Sequence, residues 1–208
     1  MTTPWMPRCA TCEQGEQCGD CVDACDVSRS HSQRDALSAY EARDVLQMSR
    51  TAAHVEATGY KRWDRARETI EFAHRMGYER LGLAFCAYLS HEAAAYNRRL
   101  ESEGFTVVSV MCKTGGVPKE TILGLGDEAK VCPGAPESMC NPIAQARLLA
   151  DAGVELNIVM GLCVGHDALF IRHAVGPVTV LVAKDRVHDH KPVDGIREGS
   201  PARETAGL

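Results

Sequence analysis

The chain has 208 residues, 45% apolar and 25% charged, with a formal net charge of -5. That is enough for one α/β domain with a hydrophobic core and too little for two large ones. Its Lys and Arg residues are scattered, and YKRWDRAR reads as the wet face of a helix, so nucleic acid is not an expected partner. No apolar run approaches the roughly 20 residues that span a bilayer, which argues against membrane insertion.

Residues 1–34 hold five of the ten cysteines and almost no aliphatic side chains. Such a segment builds no core of its own and needs a metal, or the body of the protein, to be ordered. From Arg34 to Gly59 the spacing of Leu37, Val45, Met48, Ala52 and Val55 predicts a helix. A second helix follows over 63–76, with Trp63, Ala66, Ile70 and Ala73 on one face and Gly77 as its stop. These two form a helical lead-in, 35–76.

The pattern then changes to short apolar runs alternating with helices. LGLAFC (81–86) predicts a buried strand, HEAAAYNRRLESEG a helix, and FTVVSVMC (105–112) a second strand. After the polar, glycine-rich passage KTGGVPKETILGLGDEAKVCPGAPES comes the helix NPIAQARLLADAG, with Asn141 as N-cap and Pro142 at its first position. ELNIVMG, HDALFIRHA and VTVLVAK continue as strand, helix and strand. Continuous apolar strands in this alternation predict a Rossmann-like open parallel sheet of about four strands over 79–187, with helices on both faces. The tail, 188–208, has no periodicity and is expected to be partly disordered.

MTTPWMPRC has no basic region followed by an apolar one, so a cytoplasmic protein is expected. In a reducing compartment, a high cysteine count points to metals or redox chemistry rather than structural disulfides. Cys86 and Cys112 end the first two strands, Cys163 sits just past the third, and Cys140 precedes the Asn141 helix start. All four belong at the carboxyl edge of the sheet, where ligands bind in open parallel sheets and where backbone N–H groups stabilise thiolates. Each alone can be a packed thiol, since free cysteine is often buried as a small hydrophobe. Four at one edge make a constellation that a metal or cluster can use. Cys132, in KVCPG, is either a further ligand or an exposed thiol.

The N-terminal set is Cys9, Cys12, Cys18, Cys21 and Cys25, with two CxxC knuckles that can close a tetrahedral metal site. Only five residues separate the knuckles, where zinc sites usually leave roughly 12 to 20. Cys18, Cys21 and Cys25 echo the end of an iron–sulfur run. Zinc and iron–sulfur both stay open there.

GLCVG also matches G-x-C-x-G, the cysteine form of a nucleophile elbow. Asp185 and His188 or His190 follow in hydrolase order, so a cysteine hydrolase using Cys163 can be drawn. The stretch from Cys163 to His188 has room for one further strand, fewer than that fold inserts before its histidine. His166 and Asp167 are expected to cap the next helix, and His166 to steady a neighbouring thiolate.

GLAFC (82–86), VVSVMCKTGGVPKE (107–120), MCNPIAQARLLADAGVELNIVMGLCVGHDALF (139–170) and PVTVLVAKDR (177–186) together resemble an uncharacterised prokaryotic family. It is a domain of unknown function whose members are usually labelled metal-binding proteins. The resemblance covers roughly residues 60–192, and MCNPIAQA and GLCVGHD are its specific blocks. It implies a shared metal or iron–sulfur site at Cys86, Cys112, Cys140 and Cys163, with a counterpart to the family's N-terminal cysteine region.

The expectation is therefore an iron–sulfur protein, 4Fe-4S in type, with a redox or sulfur-handling role and a redox protein as partner. Three protein ligands would leave one iron open to substrate, whereas four favour electron transfer. The rival from another class is a non-enzymatic zinc or transition-metal protein using the same thiolates.

Overall fold

The computed structural model describes residues 7–12, 25, 27–28 and 30–198. The chain divides into two compact units, Met1–His54 and Val55–Leu208.

In the first unit, Cys9–Thr11 forms a single tight turn in which the Cys12 N–H donates to the Cys9 carbonyl at 3.2 Å. Helix α1, His31–Ala39, is capped by the Ser30 hydroxyl, which accepts from the Gln33 N–H at 3.1 Å. Helix α2, Arg43–Gly59, begins after a break at 40–42. The single helix predicted over 34–59 is thus two. Leu37 is exposed and α1 buries none of its residues, so no packed face carries the helix through.

The second unit holds the sheet. Helix α3, Arg65–Met76, is capped by Asp64 and stopped by Gly77 in the left-handed conformation. Strands β1 (Arg80–Phe85), β2 (Thr106–Met111), β3 (Leu156–Met160) and β4 (Val178–Val182) are all parallel, in the order β2-β1-β3-β4. Helix α4 (Ser90–Ser102) follows β1, and helices α5 (Lys119–Leu123) and α6 (Pro142–Asp151) follow β2. Helix α7 (His166–His173) joins β3 to β4. This is the expected α/β architecture.

Alternation along each strand builds two apolar layers. Leu81 and Leu83 of β1 and Ile158 of β3 pack with Ile70 of α3 and Leu100 of α4. Ala84 and Val159 point the other way, onto Ala146 and Leu149 of α6 and Phe170 of α7. Arg65 of α3 donates to the Val180 carbonyl at 2.7 Å and to the Thr179 hydroxyl at 3.1 Å, tying α3 to β4.

The tail predicted over 188–208 is described only as far as residue 198. Pro192–Glu198 forms a short helix, α8, with Pro192 at its start, preceded by a turn in which the Asp185 carbonyl accepts from the His190 N–H at 2.8 Å. Pro192 was the available signal, because its fixed φ suits a first helical turn.

Candidate thiol site at the sheet edge

The strand order places β1 beside β2 on one side and β3 on the other, and the connections leaving β1 and β3 run to opposite faces. That reversal, at the carboxyl ends of β1 and β3, is the position at which open parallel sheets form a ligand crevice. Cys86 and Cys163 lie in the two connections that flank it.

Cys86 and Cys112 are set by strand register. Phe85 pairs with Met111, so the next residue on each strand is a cysteine, and both are buried. The Cys86 N–H donates to the Met160 carbonyl at 3.0 Å and the Cys112 N–H to the Phe85 carbonyl at 2.9 Å. The Ala87 N–H points at the Cys112 Sγ at 3.4 Å.

Cys140 arrives by a longer route. Residues 113–138 leave the sheet and close on themselves: the Met139 N–H donates to the Val117 carbonyl at 2.8 Å, and Pro118 bridges Ser138. Glu137 pairs with Lys119 at 3.0 Å and Lys113 at 3.4 Å, which holds its carboxyl down at about 2. Lys130 pairs with Glu120 and Asp127. Cys132, on this excursion, is an exposed thiol.

The return is pinned by Asn141, whose N–H donates to the Cys112 carbonyl at 2.6 Å while its side chain caps α6 at the Ala144 N–H. Cys140 is thereby brought against Cys112. One turn into α6, Gln145 is fully buried and its Nε2 donates to the Phe85 and Val110 carbonyls at 3.2 and 2.7 Å. It clamps β1 to β2 just before their cysteines.

The thiols of Cys86, Cys112 and Cys140 influence one another in series, with Cys112 in the middle. Its bond to Cys112, then burial, raises the Cys86 thiol; the bond to Cys140 raises Cys112. Cys140 falls to about 7, chiefly through the Cys112 bond, with help from the Lys113 charge. Cys140 therefore ionises first, as the acceptor at the end of a thiol relay.

Cys163 is half-buried at the start of α7, and its sulfur accepts from the Arg186 guanidinium at 3.2 Å. It takes no strained elbow conformation: the positive φ values fall on Gly161 and Gly165, at 67° and 85°. The expected Asp185–His188 pair forms at 3.0 Å, but an added Cβ on Gly195 of α8 would meet the His188 ring at 2.9 Å. His190 Nδ1 accepts from the Asp185 N–H at 3.1 Å. The hydrolase geometry gains no support from this arrangement.

His166 and Asp167 do not cap α7. Gly165 occupies the cap position without a side-chain bond, the His166 and Asp167 N–H groups both donate to the Cys163 carbonyl, and Asp167 Oδ1 accepts from the Ala168 N–H. A glycine with positive φ turns the chain there, leaving no N-cap side chain in reach.

Lys184, just past β4, is a residue the sequence pattern does not single out. Its Nζ is buried, has no hydrogen-bond partner, and lies 5.3 Å from the centre of the Tyr88 ring.

Among the described residues no three or more His, Cys, Asp or Glu side chains gather in a group that could hold a metal ion. At the N-terminus, Cys9 and Cys12 are exposed and Cys25 is half-buried, while Cys18 and Cys21 lie outside the described residues.

A family model described as a protein of unknown function, DUF1847, matches residues 25–181. The chain belongs to the DUF1847 family. It is also 37% identical over 176 residues to the uncharacterized protein MJ0455 of Methanocaldococcus jannaschii, covering 85% of this chain and 88% of that one. In this DUF1847 chain the match spans all four sheet-edge cysteines. Among the described residues no helix is long and apolar enough to cross a membrane.

Proposed function

We propose that this DUF1847 protein binds an iron–sulfur cluster at Cys86, Cys112, Cys140 and Cys163 and serves a redox or sulfur-handling role. The observation that carries the reading is the convergence of four cysteines, from three different strand exits and one helix start, on one edge of the sheet. Cys112 interacts with both Cys86 and Cys140, so three of the four thiols influence one another.

The donor chemistry suits the group. All four ligands are soft sulfurs, the site is lined by Ala84, Ala146, Leu162 and Phe170, and cations from Lys113, Lys184 and Arg186 oppose thiolate charge. A bound cluster would supply one-electron chemistry or, with an iron left open, a Lewis acid. The chain's own part is to hold the thiolates, exclude water with the apolar layer beneath them, and set the local charge.

The test is anaerobic purification with assay of iron, zinc and acid-labile sulfide and a visible spectrum. Iron and sulfide in equal amounts with thiolate-to-iron absorption are expected, and Cys163→Ser should lower both. A colourless protein with zinc and no sulfide would overturn the cluster.

A further inference from the structure

A buried ammonium without a hydrogen-bond partner is costly, and native folds seldom keep one without use. Lys184 is such a group: Nζ is buried and unbonded, and its Cε lies 3.6 Å from where a Cβ on Gly161 would stand. Tyr88, itself exposed, lays its ring against the ammonium at 5.3 Å. A cation–π contact of this kind offsets only a small part of the desolvation cost.

What surrounds Lys184 says what is missing. Tyr88 is two residues past Cys86, and Gly161 two before Cys163, so the ammonium sits between the two connections that flank the crevice. The Cys86 thiol feels its charge. Arg186, two residues on, bonds Cys163 and also feels the charge of Cys86. Two cations thus enter from the β4 side toward the thiols that follow β1 and β3.

We infer that Lys184 is the fixed countercharge of an anionic thiolate-ligated centre, placed to stabilise the loaded and reduced states at the expense of the empty protein. The inference rests on the proposed cluster reading. Four thiolates around a cluster leave a net negative charge, and reduction adds another, so a buried cation beside them strengthens metal retention and raises the reduction potential. In the empty protein the same charge is an unpaired burden.

The two states therefore respond oppositely to one substitution. Lys184→Met keeps the aliphatic stem and removes the charge. The metal-free variant should melt a few degrees higher than metal-free wild type. After reconstitution with ferrous iron and sulfide, its cluster should yield to a chelator at about 10- to 100-fold lower concentration, and its midpoint potential should be more negative. Lys184→Arg should restore both retention and potential.

A Lys184→Met protein that melts lower when empty, or does not fold, assigns Lys184 to packing and overturns the inference. Unchanged retention and potential overturn it as well. Wild type that takes up no iron and sulfide is a different failure: it removes the cluster reading itself.

Discussion

Gly161 supplies a prediction in which two costs can be separated. It ends β3, has φ of 67°, and donates its N–H to the Val182 carbonyl at 2.7 Å. A Cβ there would overlap Leu89 Cδ1 and stand 3.3 Å from Leu89 Cγ. Leu89 is 6% exposed and belongs to the apolar layer of Ile70, Leu83 and Ala93, so displacing it disturbs close packing. For Gly161→Ala the left-handed backbone costs about 1–2 kcal/mol and the overlap about 1–3 kcal/mol. The stiffer unfolded chain returns only about 0.4–1 kcal/mol, so the net loss is about 3 kcal/mol.

Gly165 is the control. Its φ is 85°, yet an added Cβ meets nothing within 4 Å. Gly165→Ala therefore carries the backbone cost alone, about 1 kcal/mol. At roughly 2–4 °C per kcal/mol for a domain of this size, calorimetry of the metal-free proteins should find melting lowered by about 9 °C for Gly161→Ala and about 3 °C for Gly165→Ala. Equal shifts would refute the overlap with Leu89, and two silent substitutions would refute the left-handed backbone.

Three further outcomes follow from the site. Gln145→Leu removes two donated bonds but also the Gln145 Oε1, which is buried without a partner; stability in urea should change by about 1 kcal/mol or less, while on the proposed cluster reading iron retention should fall because β1 and β2 lose their clamp. Glu137, held at about 2 against its usual 4.5 by Lys119 and the Val131 N–H, contributes stability that is full above 4.5 and disappears as pH falls toward 2; hydrogen exchange should show 113–138 opening across that window, and Glu137→Gln should reduce the dependence to the part carried by Glu120 and Asp127, which Lys130 also holds low. In the metal-free protein, iodoacetamide labelling of Cys140 should rise with a midpoint near the thiol's value of about 7, and Cys112→Ala should move that midpoint upward by removing the bond that lowers it.

Strand and helix placement was legible because β1 and β3 are buried on both faces and read as unbroken apolar runs. The edge occupied by Cys86, Cys112, Cys140 and Cys163 followed from counting residues past each strand. What governs those cysteines was not legible. Gln145 looks like a polar residue on an ordinary helix, and only its position beside Ala146 and one turn before Leu149 on the sheet-facing side hinted at burial. Lys184 and Arg186 follow a strand as any exposed basic pair does, and their meaning depends on β4 lying beside β3, an order the chain's sequence does not declare. The break after α1 and the α8 turn share one cause: neither has an apolar face whose period could be read.

The four cysteines are not held alike, and this bears on how many of them a bound cluster would use. Cys86 and Cys112 are fixed by ladder hydrogen bonds, and Cys140 by the bond from Asn141 to the Cys112 carbonyl; all three form with the sheet itself. Cys163 instead lies between two turning glycines, Gly161 and Gly165, and the partner its sulfur has is Arg186, an exposed side chain. A guanidinium bond to a half-buried thiol is cheap to exchange, whereas moving Cys86 or Cys112 would unpair β1 from β2. On the proposed reading the first three sulfurs are a rigid template and Cys163 is the adjustable ligand. It can close the coordination for electron transfer or stay with Arg186 and leave one iron to a substrate.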